Sequence, residues 1–137
     1  MLTRTDIGCW VLKSAVLPEE LLPRWRPGAA AEMGRCVRRS YRVDLVTPGD
    51  PVLLWCSGRV DPGVHALGSV VGVDRAALEV DVRWTLLADP VPRAALLADP
   101  VARDAEVLRM PAGSNPSWLS PAQWAVVRRL SPTAART

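Results

Sequence analysis

The period of hydrophobic and polar positions changes several times along the 137-residue chain, and each change predicts an element. Leu78, Val80, Val82, Trp84 and Leu86 alternate with Glu79, Asp81, Arg83 and Thr85, as in a strand with one face on a core. Residues 52–56 are apolar throughout, which predicts a central strand covered on both sides. Residues 7–13 read the same way, ending in Lys13. The turn-rich stretch 57–63 followed by apolar 64–73 predicts a hairpin with the strand before it. Pro18 to Leu22 opens a brief helix that Pro23 and Pro27 confine.

From 29 to 46 the spacing turns helical. Met33, Val37, Tyr41 and Leu45 fall on one face, and Arg35, Arg38, Arg39 and Arg42 form a neighbouring stripe. Gly34 weakens the first turn. The hexapeptide Leu-Leu-Ala-Asp-Pro-Val occurs at 86–91 and again at 96–101. Copies so short and close read as reused turn chemistry, with a helical turn at 92–98 between them. Residues 104–110 are expected to form a last strand. Ser120, Pro121 and Gln123 then spell an N-cap, a first helical residue and the closing member of a capping box. Leu119 and Trp124 supply the hydrophobic staple across it, and the helix is expected to run to Leu130. The expected fold is α+β, a small curved and mostly antiparallel β-barrel flanked by short helices. It occupies 1–130 as one domain, with 131–137 as a flexible tail.

Composition adds an unusual aromatic set: six tryptophans, one tyrosine and no phenylalanine. Indole brings an N–H donor as well as area, so it suits a surface that grips a flat ligand as much as a core. Trp84 and Trp124 have packing positions, on the alternating strand and in the staple, and Trp10 leans the same way. Trp118 is open. Trp25 stands between Arg24 and Arg26 and two prolines, and Trp55 ends a strand just before Cys56-Ser57-Gly58. These two are the recognition candidates.

The net charge of +3 is uneven. Six arginines and one acid, Glu32, between 24 and 42 leave that segment at +5 and the rest of the chain at −2. Arginine forks pair two-pronged with phosphate, so the cluster fits a polyanion; a solvated face or a compositional bias fits it as well. Cys9, Cys36 and Cys56 are odd in number and far apart, the pattern of buried reduced thiols. No apolar run reaches membrane-spanning length and no signal stretch opens the chain, so a cytoplasmic location is expected. With one histidine, His65, and no cysteine pair at metal spacing, neither a metal site nor a cofactor is implied. Cys56 and His65 flank the hairpin loop as the one conceivable nucleophile pair, without an evident third member.

Taken in order, the motifs resemble a known family. Trp10-Val11-Leu12-Lys13-Ser14 is similar to the N-terminal strand motif of EVE domains, members of the PUA-like superfamily related to the YTH readers of methylated adenine. Ser40-Tyr41-Arg42, Pro48-Gly49-Asp50, Leu53-Leu54-Trp55-Cys56-Ser57-Gly58, Pro62-Gly63, Leu67-Gly68, Gly113-Ser114-Asn115-Pro116 and Leu119-Ser120-Pro121-Ala122-Gln123-Trp124 follow in the order of bacterial EVE-domain proteins. The resemblance spans about 7–128. It departs after Ser14, where Ala15-Val16 stand in place of the family's Glu-Pro, and the Asn-rich stretch of some relatives is missing.

The resemblance implies a β-barrel with a base-binding pocket at its mouth, reading a modified base in DNA or RNA. Carried over by position, Lys13 and Ser14 would line the rim, Trp25 and Trp55 would stack on the base, and Ser57, Gly58, Ser114 and Asn115 would meet its edge. Arg35, Arg38, Arg39 and Arg42 would hold the phosphates. The expected function is therefore a non-catalytic reader of nucleic acid. A small enzyme acting on a nucleotide at the same mouth, and a protein-interaction module using the Arg face, are the alternatives.

Overall fold

The computed structural model describes residues 1–131. The two apolar runs become neighbours: β1 (Cys9–Ser14) lies parallel to β3 (Pro51–Cys56), with Leu12 beside Leu54. Each is flanked by another strand and covered on both faces, which is why neither needs polar alternation. β4 (Gly63–Asp74) returns antiparallel from β3, and β5 (Glu79–Pro92) returns antiparallel from β4. On the outer edge of β5 lies β2 (Ala30–Cys36), and on the outer edge of β1 lies β6 (Ser117–Leu119), both antiparallel. Among the described residues these six strands make one sheet in the order β2-β5-β4-β3-β1-β6. Short helices complete an α+β fold: α1 (Pro18–Leu21), α2 (Tyr41–Leu45), α3 (Arg93–Leu97), α4 (Glu106–Arg109) and the longer α5 (Pro121–Leu130).

Two cores form, one on each face. Val11, Leu53, Trp55, Val64 and Val91 meet residues of α3, α4 and α5 on one side. Trp10, Leu12, Leu54, Val80, Val82 and Trp84 pack on the other with Val43 and Val46, and Leu17, Leu21 and Trp25 close over them. Fully burying each such aliphatic side chain contributes about 1.5–3 kcal/mol. The buried indoles keep their donors satisfied: Trp10 Nε1 donates to Asp50 Oδ2 at 3.0 Å and Trp84 Nε1 to the Met33 carbonyl at 3.1 Å. Burial pushes the Asp50 carboxyl up, but hydrogen bonds from Arg4, Trp10 and Thr47 outweigh it and hold the group below its ordinary value.

The capping box of α5 forms as read. Ser120 Oγ accepts the Gln123 N–H at 3.1 Å, and Gln123 Oε1 accepts the Ser120 N–H at 2.9 Å. Leu119 and Trp124 join the same core.

Several expectations are overturned. The helix over 29–46 is instead β2, a loop and the short α2. The outer edge of β5 needs a partner for its backbone N–H and C=O groups, and β2 supplies it, with Glu32 and Gly34 opposite Arg83 and Asp81. The last strand over 104–110 is helical instead: a 3₁₀ turn at Ala102–Asp104, then α4, which turns Val107 and Leu108 into the core. The strand that does form near the end is β6. The repeated hexapeptide takes two conformations. Its first copy lies in β5, where residues 87–90 bulge opposite His65 alone. In the second copy the chain leaves α3 through a turn in which Asp99 Oδ1 accepts the Val101 and Ala102 N–H groups. Of the cysteines, Cys9 and Cys56 are buried but Cys36 is exposed.

The barrel does not close either. β2 and β6 remain unpaired with one another, and the sheet curls until the end of β2 faces the end of β1 without a backbone ladder between them. Of the expected tail, Ser131 is buried and 132–137 lie outside the described residues.

Candidate functional site

The gap in the curled sheet is a polar seam, and side chains bridge it. Asn115 Oδ1 accepts the Lys13 N–H at 2.7 Å, while Asn115 Nδ2 donates to the Lys13 carbonyl at 3.2 Å and to the Cys36 carbonyl at 3.4 Å. Arg35, on the face of β2 that carries Met33, donates from Nη2 to the same Lys13 carbonyl at 2.9 Å. Its Nε–H is buried and is the one such side-chain atom without a hydrogen-bond partner among the described residues. Arg38 Nη1 donates to Ser114 Oγ at 3.1 Å, and the Arg38 N–H to the Asn115 carbonyl. Lys13, Arg35, Arg38, Ser114 and Asn115, which the sequence separates by up to 102 positions, therefore meet here.

Ser14 and Ser57 border the seam. Ser14 is buried, its hydroxyl donating to the Val16 carbonyl at 2.8 Å, and both Ser57 N–H and Oγ donate to the Ser14 carbonyl. Gly58 follows on the loop. The Lys13 ammonium donates to the carbonyls of Gly113 at 2.7 Å, Met110 and Pro111, and desolvation lowers its pKa below the ordinary value. Most polar groups of the expected rim thus already serve the fold. Free hydrogen-bonding capacity at the seam lies with the exposed guanidinium of Arg38, whereas the unpaired Arg35 Nε–H is enclosed by the protein.

The two recognition tryptophans part company. Trp55 is only 2% exposed and sits inside the first core, so its ring is not presented to a ligand at an open mouth. Regular alternation along β3 puts Leu53 and Trp55 on that core face, while Val52, Leu54 and Cys56 turn to the other. Trp25 is half-buried on the chain between α1 and β2, its Nε1 donating to the Ala29 carbonyl at 2.9 Å. It lines an open groove of about 490 Å³ with Leu22, Pro23, Arg24, Arg26 and residues 29–31, apart from the seam residues. Trp118, undecided from sequence, lies on β6 opposite Trp10 and packs on the second core.

The arginine stripe is also redistributed. Arg42 is not free for phosphate: its fork grips Glu106 at 2.7 and 2.8 Å, tying α2 to α4, and also donates to the Pro116 carbonyl. That hydrogen-bonded pairing holds the Glu106 carboxyl at about 2, well below its ordinary value. Among the described residues Arg24, Arg26, Arg35, Arg38 and Arg39 have no carboxylate at ion-pair distance, and neither do Arg59, Arg93, Arg103, Arg109 and Arg128 elsewhere, whereas Arg4, Arg75, Arg83 and Arg129 do. Five arginines without ion pairs thus gather on β2 and the loops at its ends, beside the acids Glu32 on β2 and Glu79 and Asp81 on β5.

Cys56 and His65 do not form an activated pair. Burial pushes the Cys56 thiol up to about 12, which keeps it protonated, and His65 Nε2 is hydrogen-bonded to the Asp61 carbonyl at 2.6 Å. No three His, Cys, Asp or Glu side chains group as metal ligands among the described residues. No helix there is long and apolar enough to cross a membrane.

No protein-family profile matches the chain. A tRNA pseudouridine synthase A of Shewanella halifaxensis is 36% identical over 56 residues, which span 41% of this chain and 22% of that enzyme. Among solved structures, a hypothetical protein from Leishmania major superposes with a TM-score of 0.68 at 18% identity, covering 97% of this chain and 99% of that one. Human THYN1, in complex with DNA containing 5-methylcytosine, superposes with a TM-score of 0.52 at 14% identity, covering 90% and 96% of the two chains. These structural likenesses place the chain in the fold of THYN1 and its structural relatives.

Proposed function

We propose that the chain is a non-catalytic nucleic-acid-binding domain of the EVE, PUA-like kind, which accepts a base, in its preferred form a modified one, beside a positively charged edge. The observation that carries this reading is the cluster of five arginines without ion pairs, Arg35 on β2 and Arg24, Arg26, Arg38 and Arg39 on the loops at its two ends. Arginines so placed neutralise phosphates and release counterions. The fold shared with THYN1, whose structure holds methylated DNA, supports the same reading.

Within it, Arg24, Arg26, Arg38 and Arg39 contact the backbone and Trp25 supplies a stacking face, worth about 1–3 kcal/mol per base. Gly58 and Ser114 meet a base edge at the seam, while Arg35, enclosed at Nε and bonded to the Lys13 carbonyl, and Ser57, bonded to the Ser14 carbonyl, hold its walls. Lys13, Ser14 and Asn115 act as the frame, because their polar atoms are engaged. The protonated Cys56 thiol and the carbonyl-bound His65 weigh against the enzymatic alternative at that mouth.

Binding of oligonucleotides with and without 5-methylcytosine or methyladenine, measured across a salt series, tests the proposal. Arg38→Gln with Arg39→Gln is expected to weaken binding of every sequence about tenfold or more and to flatten the salt slope by about two. Trp25→Ala is expected to erase the preference for the modified base. Affinity indifferent to salt and to all three substitutions refutes the reading.

A further inference from the structure

A second groove, lined in part by the Pro27-Gly28 turn that follows Trp25 in the chain, has no part in the site described above. It has a volume of about 640 Å³. Leu67, Leu86, Leu87 and Ala88 contribute an apolar floor, and Arg83, Trp124 and Arg128 stand around it. The groove exists because α5 covers only part of the β4–β5 face. The first core ends at Leu67 and Leu87, both on that face, and the strands run on beyond it, with Ser69 and Thr85 lining the groove. Trp124 sits at this margin. It is half-buried, packing on the first core, and the Arg128 guanidinium lies over its ring, 6.0 Å from the centroid.

The chemistry of this lining is specific. Among the described residues no carboxylate lines the groove and Arg128 has no carboxylate partner. Arg83 has only Glu32, at 3.9 Å, with both side chains largely in solvent, so the pair constrains neither. Two exposed cations, a half-buried indole carrying a guanidinium plane and an apolar floor match a ligand with a flat ring and a negative charge. A nucleotide has both, and bases stack on indole and on arginine planes alike. The Trp25 groove, lined by Arg26 and Ala29, and this one, lined by Pro27 and Gly28, share a single turn. A strand that leaves one can enter the other directly.

We infer that the Arg83–Trp124–Arg128 groove is a second nucleotide seat, taking a further residue of the single strand that occupies the Trp25 groove. In its strand form the inference rests on the nucleic-acid reading above; as a seat for a nucleotide it stands on the groove alone.

Oligothymidylates of roughly four to twelve residues and free thymidine monophosphate separate the two. The indole N–H resonance of Trp124, assigned from Trp124→Leu, reports occupancy, and Arg83→Gln with Arg128→Gln removes both charges at exposed positions. The expected result is that longer oligomers shift the Trp124 resonance and bind about tenfold more weakly to the double variant, with a salt slope lower by about two, while the shortest are unaffected. If the wild-type chain binds no oligomer, the nucleic-acid reading fails. A Trp124 shift on the monophosphate, abolished by the double variant, then establishes the groove as a free-nucleotide site. A resonance that moves with neither probe, or oligomer affinity unchanged in the double variant, overturns the second seat.

Discussion

The side chain of Asn115 pairs with the backbone of Lys13 as a neighbouring strand would, its oxygen accepting the Lys13 N–H at 2.7 Å and its amide donating to the Lys13 carbonyl at 3.2 Å. One of its amide hydrogens also reaches Cys36 on β2, so a single amide spans the seam that the strands leave open. A ladder there would have closed a barrel and filled the gap with backbone. The side-chain clasp keeps the seam polar and leaves the Arg35 donor inside it.

Asn115→Ala should therefore loosen the seam as a unit. It removes the partner of a Lys13 N–H in part-buried surroundings and both amide contacts, so unfolding free energy should fall by about 1–3 kcal/mol. Hydrogen exchange should speed up at Lys13 ahead of the β4–β5 ladder, and uniform exchange would contradict the clasp.

The tryptophans separate stability from recognition. Trp55→Ala should cost about 3–5 kcal/mol, because it empties a core position. Trp25→Ala, in an open groove, should cost less than about 2 kcal/mol while changing nucleic-acid binding. Thermal denaturation and binding of both variants decide the matter; the reverse ranking would return Trp55 to the site.

Acid sensitivity follows from Glu106. Its ordinary carboxyl value of 4.5 falls to about 2 in the fold, because Arg42 and Ser117 hydrogen-bond the charged form. The unfolded chain thus takes up the proton first as pH falls. The stabilisation is complete above about pH 4.5 and disappears on the way down to about pH 2, a contribution on the order of 1–2 kcal/mol once solvent screening of this part-exposed pair is taken off. Glu106→Gln should be less stable at neutral pH and should lose this part of the acid slope. Parallel wild-type and variant curves between those pH values would sink the assignment.

The thiols give a direct check on the fold. Cys36 stands exposed on the edge strand, while burial raises the thiol pKa of both Cys9 and Cys56. A thiol-specific reagent should modify Cys36 quickly under native conditions and the other two only on unfolding, at matching rates. Rapid native labelling of Cys56 would revive a reactive role for it.

Local chemistry alone accounts for β1, β3, β5 and α5. A strand apolar on both faces, a clean two-residue alternation and a Ser-Pro-x-Gln cap each dictate one conformation whatever surrounds them. The uneven charge and the doubtful position of Trp25 were legible for the same reason. Residues 29–46 were not, because their spacing satisfies a helix equally well, and the demand that settles them comes from the unpaired edge of β5, far along the chain. The repeated hexapeptide makes the point most sharply: six identical residues bulge within β5 at 86–91 and leave a helix through a turn at 96–101. The seam belongs to this second kind. Lys13, Arg35 and Asn115 carry no mutual signal in sequence, and they meet because long bulged strands curl the sheet until its two ends face each other. Local pattern selects the elements where one conformation dominates; where two compete, the pairing of distant strands makes the choice.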